Sequence, residues 1–89
     1  MWANTIINRT FTNTTGSYVA LSAVSQPFSG EITCPSTNGA AVTFLGDDGA
    51  SAVAWQPGST HYFRSIDLSR LKAKTTSTDV VRIVGEFSG

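Results

Sequence analysis

Short apolar runs follow one another along the whole chain, each cut by Gly, Pro or Asp. None keeps helical spacing over a helix-sized window without a β-branched or Gly interruption. Alternation of apolar with polar residues puts one face of a strand inward and the other in water. The pattern predicts strands at 5–11, 17–25, 28–33, 41–45, 52–55, 60–66, 71–74 and 80–84. In the first, Ile7 and Phe11 share a face with Arg9 between them; in the second, Val19, Leu21 and Ala23 do. In the last, Arg82 should point to water or a partner, which sends Val81 and Ile83 inward. The only helix-like candidate is a short turn begun by Asp67 or Ser69 and carrying Leu68 and Leu71, too short to stand alone.

Three turns have a stated mechanism. Asp48-Gly49 supplies positive φ between two strands. Pro57-Gly58 fits the centre of a type II turn, and Asn38-Gly39 makes a turn ahead of the Val42 strand. The expected core is Val19, Leu21, Ile32, Val42, Phe44, Val53, Phe63, Ile66, Leu68, Leu71, Val81 and Ile83. The fold class is therefore all-β, a small antiparallel β-sandwich or barrel of about seven to eight short strands. Residues 1–89 form one domain, with 1–15 an extended N-terminal arm or edge strand.

Size and composition bear on stability and partners. At roughly 1.5 kcal/mol of ordering cost per residue against about 25 cal/mol per Å² buried, a chain of this length comes out near zero. Cys34 is the only cysteine, so no internal disulfide helps. Self-association or docking on a larger body is the expected source of further stability. Only 13% of residues are charged and the net charge is zero. A surface of low charge resists association poorly, as suits a permanent component of an assembly. No apolar stretch approaches the ~20 residues that span a bilayer, and no signal peptide is expected. Asn8-Arg9-Thr10 and Asn13-Thr14-Thr15 are read as chance matches to the glycosylation pattern. A lone thiol suits synthesis in a cytoplasm.

Candidate chemistry is sparse. Asp47 and Asp48 share a turn but lack the further oxygen ligands of a calcium loop, so no metal is expected. His61 is the only histidine; Ser59 and Asp67 lie near it in sequence without a nucleophile motif, and no catalytic residue or cofactor is assigned. Cys34 reads as a small packed thiol. Charge is split along the chain: residues 1–60 carry −2, from Arg9 against Glu31, Asp47 and Asp48, and residues 61–89 carry +2. Arg70, Lys72 and Lys74 alternate, so on a strand they share one face beside Tyr62 or Arg64. Such a stripe suits single-stranded nucleic acid, but neutral overall charge argues against that partner. It suits head-to-tail contact between copies or an acidic neighbour better. Trp2 and Phe87 lie near the two chain ends, either packed back on the domain or anchoring the terminus on a partner.

Several motifs carry a resemblance: Phe44-Leu45-Gly46-Asp47, Trp55-Gln56-Pro57-Gly58, Ile66-Asp67-Leu68-Ser69, Leu71-Lys72-Ala73 and Asp79-Val80-Val81-Arg82-Ile83. Over about half its length the chain resembles small structural proteins of tailed bacteriophages, of the capsid decoration or cement kind. The resemblance implies a non-enzymatic virion component made in the host cytoplasm. It would be present in many copies, bridging the major capsid protein or other virion subunits and associating with itself. Trp2, Trp55, Tyr62, Arg70, Lys72, Lys74 and Phe87 are the candidate contact residues. The alternative is a tail or fibre β-domain that binds carbohydrate through exposed Trp55 and Tyr62, or another virion protein. No membrane partner is expected.

Overall fold

The computed structural model describes residues 4–88. Eight strands run in chain order: β1 (Thr5–Phe11), β2 (Val19–Ala20), β3 (Pro27–Thr33), β4 (Val42–Leu45), β5 (Val53–Trp55), β6 (Thr60–Asp67), β7 (Lys72–Lys74) and β8 (Val81–Phe87). They form two four-stranded antiparallel sheets, ordered β1-β8-β3-β6 and β2-β7-β4-β5. Four pairings nest about the β4–β5 connection: β1 with β8, β2 with β7, β3 with β6 and β4 with β5. The chain is thus one long antiparallel hairpin rolled into two layers, closed by the β3–β8 and β4–β7 pairings. That strand order is a jelly roll.

The core lies between the sheets. Ile7, Phe28, Ile32, Val81, Ile83 and Phe87 come from the first sheet, and Val42, Phe44 and Ala73 from the second; Leu21, Cys34 and Leu68 join from connections. Facing rows on β3 and β8 are Phe28–Phe87, Gly30–Gly85 and Ile32–Ile83. The middle row explains both glycines. A Cβ on Gly30 would lie 2.3 Å from the Val84 carbonyl oxygen, and one on Gly85 2.2 Å from that of Ser29. The room they leave is occupied by the Phe28 ring, itself fully buried.

Several sequence expectations are corrected. Residues 17–25 give only the two-residue β2, and Val19 is 44% exposed. Val53, on edge strand β5, is 60% exposed and not core. Phe28, Ala73 and Phe87 take core places that the pattern did not assign. Asn38-Gly39 is no positive-φ turn. The turn there runs from Pro35 to Asn38, closed by the Asn38 N–H on the Pro35 carbonyl (3.0 Å). The other two turns stand as expected, with Gly49 at φ 80° and Gly58 at φ 89°. Asp67 does cap a single turn of 3-10 helix, Leu68–Arg70.

Two side chains staple the connections. Buried Asn13 donates to the carbonyls of Ser17 (2.7 Å) and Ala73 (2.9 Å), while its oxygen accepts from the Thr15 hydroxyl and N–H. Its amide nitrogen is therefore committed to the fold and closed to glycan attachment. Asp79, also buried, accepts from the N–H groups of Gly39 (2.8 Å) and Ala40 (3.0 Å). These bonds replace ladder bonds that the loops cannot make.

Candidate functional site

The residues predicted for contact do not converge. Arg70 lies in the 3-10 turn, where its guanidinium pairs with Asp47. Lys72 and Lys74 lie on β7, on either side of buried Ala73, and so project from the outer face of the second sheet. Lys74 leans over the Tyr18 ring, 4.4 Å from its centroid. Tyr62 and Arg64 belong to β6 in the other sheet. The expected single stripe of Arg70, Lys72 and Lys74 beside Tyr62 or Arg64 is thus broken, because a helical turn interrupts the alternation at Arg70. Phe87 is buried edge-to-face against Phe28, the rings 6.1 Å apart, so of its two readings the packed-back one holds. Trp2 lies outside the described residues.

Trp55 closes the seam between edge strands β5 and β6. Phe44 stacks on it at 3.8 Å, and His61 lies at 3.7 Å, tilted by 30°. Two rings cannot share one stacking position, so they cover opposite faces of the indole, and neither face is free for a sugar. His61 is spent on this stack. The Ser59 hydroxyl donates to the Gln56 carbonyl (2.6 Å) and Asp67 accepts from Ser25 (2.6 Å) and Ser69 (2.6 Å), so these three residues do not form a relay.

Among the described residues, the surface hollows include two of similar size. One, about 440 Å³, has Phe63, Ile66 and Leu71 as apolar walls and Asp47, Asp67 and Arg70 at its rim. Its charges already have partners, Asp47 with Arg70 and Asp67 with two serines. Those serines hold the Asp67 carboxyl below its ordinary range, Ser25 contributing most. The second, about 430 Å³, is lined by hydroxyls of Thr14, Thr43, Thr75, Thr76 and Ser77 beside Lys74.

The most distinctive surface is the outer face of the β1-β8-β3-β6 sheet. Register places Asn8, Val84, Glu31 and Tyr62 in one row across four strands, flanked by the rows Ile6–Glu86–Ser29 and Thr10–Arg82–Thr33–Thr60. Ile6 is 83% exposed, Tyr62 79% and Val84 43%. Glu31, Glu86 and Arg82 are scattered among hydroxyl and amide side chains, and exposed Arg64 follows on β6, so the face is close to neutral, with Ile6, Val84 and Tyr62 as its apolar points. Ile6 and Val84 were absent from the expected contact residues. The Ile6-Ile7 doublet was the available signal, since consecutive residues of a strand cannot both face the core. Comparison with known proteins finds no match to this chain among family models, curated proteins or solved structures.

Proposed function

We propose that this chain is a non-enzymatic structural protein of a virion, a decoration or cement protein that works by surface contact with capsid subunits. The observation that carries the reading is the outer face of the β1-β8-β3-β6 sheet, where Ile6, Val84 and Tyr62 stand out to solvent on a nearly neutral surface. An exposed tyrosine and two exposed aliphatic groups on a face of low net charge fit an interface, whose core is depleted in charge and enriched in tyrosine.

Magnitude favours many weak contacts over one tight one. Seven-residue strands at about 3.3 Å per residue, four abreast at about 4.8 Å, give a face of roughly 400 Å² in plan. A stable protein–protein interface uses about 800 Å² per partner. One such face falls short alone, so avidity makes up the difference only where copies are joined to one another.

Jelly rolls serve as both capsid and lectin domains, so the fold does not choose between this reading and a carbohydrate-binding tail or fibre domain. The covered Trp55 ring removes one of the two aromatic platforms which that second reading needed. The test is co-sedimentation of the purified protein with empty capsid shells, beside a panel of immobilised glycans. Saturable binding to shells supports the proposal; binding to glycans alone supports the fibre reading.

A further inference from the structure

The phase of the backbone ladder leaves one strand edge open in a self-complementary way. The Ser88 N–H donates to the Pro27 carbonyl at 2.9 Å. In an antiparallel pair this makes Phe28–Phe87 a non-hydrogen-bonded pair, and alternation then fixes every other position. Glu86, Val84 and Arg82 exchange bonds with β3, while Phe87, Gly85, Ile83 and Val81 exchange them with β1. The bonded partners on β1 are Thr5, Ile7, Arg9 and Phe11. The N–H and C=O groups of Ile6, Asn8 and Thr10 therefore point away from the sheet, and no turn or loop bond among the described residues uses them.

We infer that β1 is a pairing edge for β1 of a second copy, antiparallel about a two-fold axis at Asn8. In that register Ile6 meets Thr10 of the other copy, Asn8 meets Asn8, and Thr10 meets Ile6. Every outward group finds an outward group, and each of the three pairs exchanges two hydrogen bonds. The two four-stranded sheets join into one of eight strands, and the exposed Ile6 side chain gains the Thr10 methyl of its partner as a neighbour. Arg9 is the strand's one charge. It lies opposite Ile7 of the other copy rather than a like charge, and leans toward its own Phe87 ring while staying exposed to water.

The other edges are blunted. On β6 the register slips opposite Ser29, where Ser65 sits at φ 54° and bends the strand. β2 and β5 have two and three residues. β1 keeps an unbroken seven-residue register, with no proline, lysine or bulge. The pairing concerns the edge of the sheet and holds whatever its outer face binds.

Sedimentation equilibrium of the whole chain over a wide concentration range tests this. Asn8→Pro removes the central outward N–H, and proline is tolerated on an edge strand where that group faces away from the sheet. Ile6→Lys is a second variant at a solvent-exposed position that cannot disturb the core, and Tyr62→Lys is the control on the opposite edge. The wild-type chain and Tyr62→Lys are expected at twice the monomer mass, and both β1 variants at half that value. With a short thiol-to-thiol cross-linker Asn8→Cys should give a covalent dimer, because directly opposed residues of an antiparallel pair stand about 4.5–5.5 Å apart at Cβ. Ile6→Cys should not. A wild-type chain that stays monomeric up to its solubility limit overturns the inference. So does a trimer, a dimer indifferent to both β1 variants, or cross-linking through Ile6→Cys in place of Asn8→Cys.

Discussion

The side-chain amide of Asn38 exchanges two hydrogen bonds with the backbone of Val80, donating to its carbonyl at 2.8 Å and accepting from its N–H at 3.0 Å. A side chain here imitates a neighbouring strand, and it does so at the entrance to β8, the strand that holds β1 and β3 together. Removing it leaves two backbone groups of Val80 without partners in a nearly closed site. Asn38→Ala is expected to cost about 1–3 kcal/mol, read as a lower urea midpoint. Asn38→Asp should be worse, since it loses the donor and brings a second carboxylate toward the loop that Asp79 holds.

The Gly30–Gly85 row admits no side chain. Either alanine substitution forces its methyl against backbone that cannot yield, and Gly30 also sits at φ 154°. A loss of about 3 kcal/mol or more is expected for each, in the range of severe overpacking. The check is soluble yield and thermal midpoint. Because the two positions oppose each other, the double variant should cost less than the two single losses added together.

Much of this was legible in the sequence, and the reasons for the misses are physical. Alternation located the strands and set Val81 and Ile83 inward, because Arg82 could not be buried. It misplaced Val19 and Val53, which obey the alternation but sit on edge strands with too little sheet above them to cover them. It overlooked Phe28 because the void that ring fills exists only when Gly30 and Gly85, far apart in sequence, face each other. An edge strand within residues 1–15 was in reach, but which of its backbone groups stay open was not, since hydrogen-bond phase depends on pairing and not on residue type. The Arg70, Lys72 and Lys74 stripe failed for a local reason: Asp67 caps a turn of helix that interrupts the strand before Lys72.

Stability at low pH should depend on Asp67. Hydrogen bonds from the Ser25 hydroxyl, then from the Ser69 hydroxyl and N–H, lower its carboxyl from the ordinary 3.8. A carboxyl lowered on folding stabilises the folded form fully above that value, and the contribution is lost as pH falls through the lowered one. Asp67→Asn is therefore expected to flatten the acid limb of stability below pH 3.8. Urea midpoints measured along a pH series give the comparison.

Cys34 is fully buried, and burial pushes its thiol up against a smaller opposing effect of Ser59. The folded protein is expected to resist alkylation at mildly alkaline pH and to react at once in denaturant. Mass spectrometry of the labelled chain reads both.

Removing the imidazole from the Trp55 stack should uncover one face of the indole. In a Trp2→Phe background, His61→Ala is expected to shift Trp55 emission to longer wavelength and to cost about 1 kcal/mol, the usual worth of a ring pair. An unchanged emission maximum would mean that the seam closes without His61.

The proposed function places the contact with capsid subunits on the outer face of the β1-β8-β3-β6 sheet and not in a pocket. Its most direct test is quantitative binding to empty capsid shells by the wild type and by Tyr62→Ser combined with Val84→Lys, two exposed positions outside the core. Saturable binding by the wild type is expected, with at least a tenfold loss in the variant and thermal stability unchanged. Absence of shell binding by the wild type, or equal binding by the variant, would contradict it.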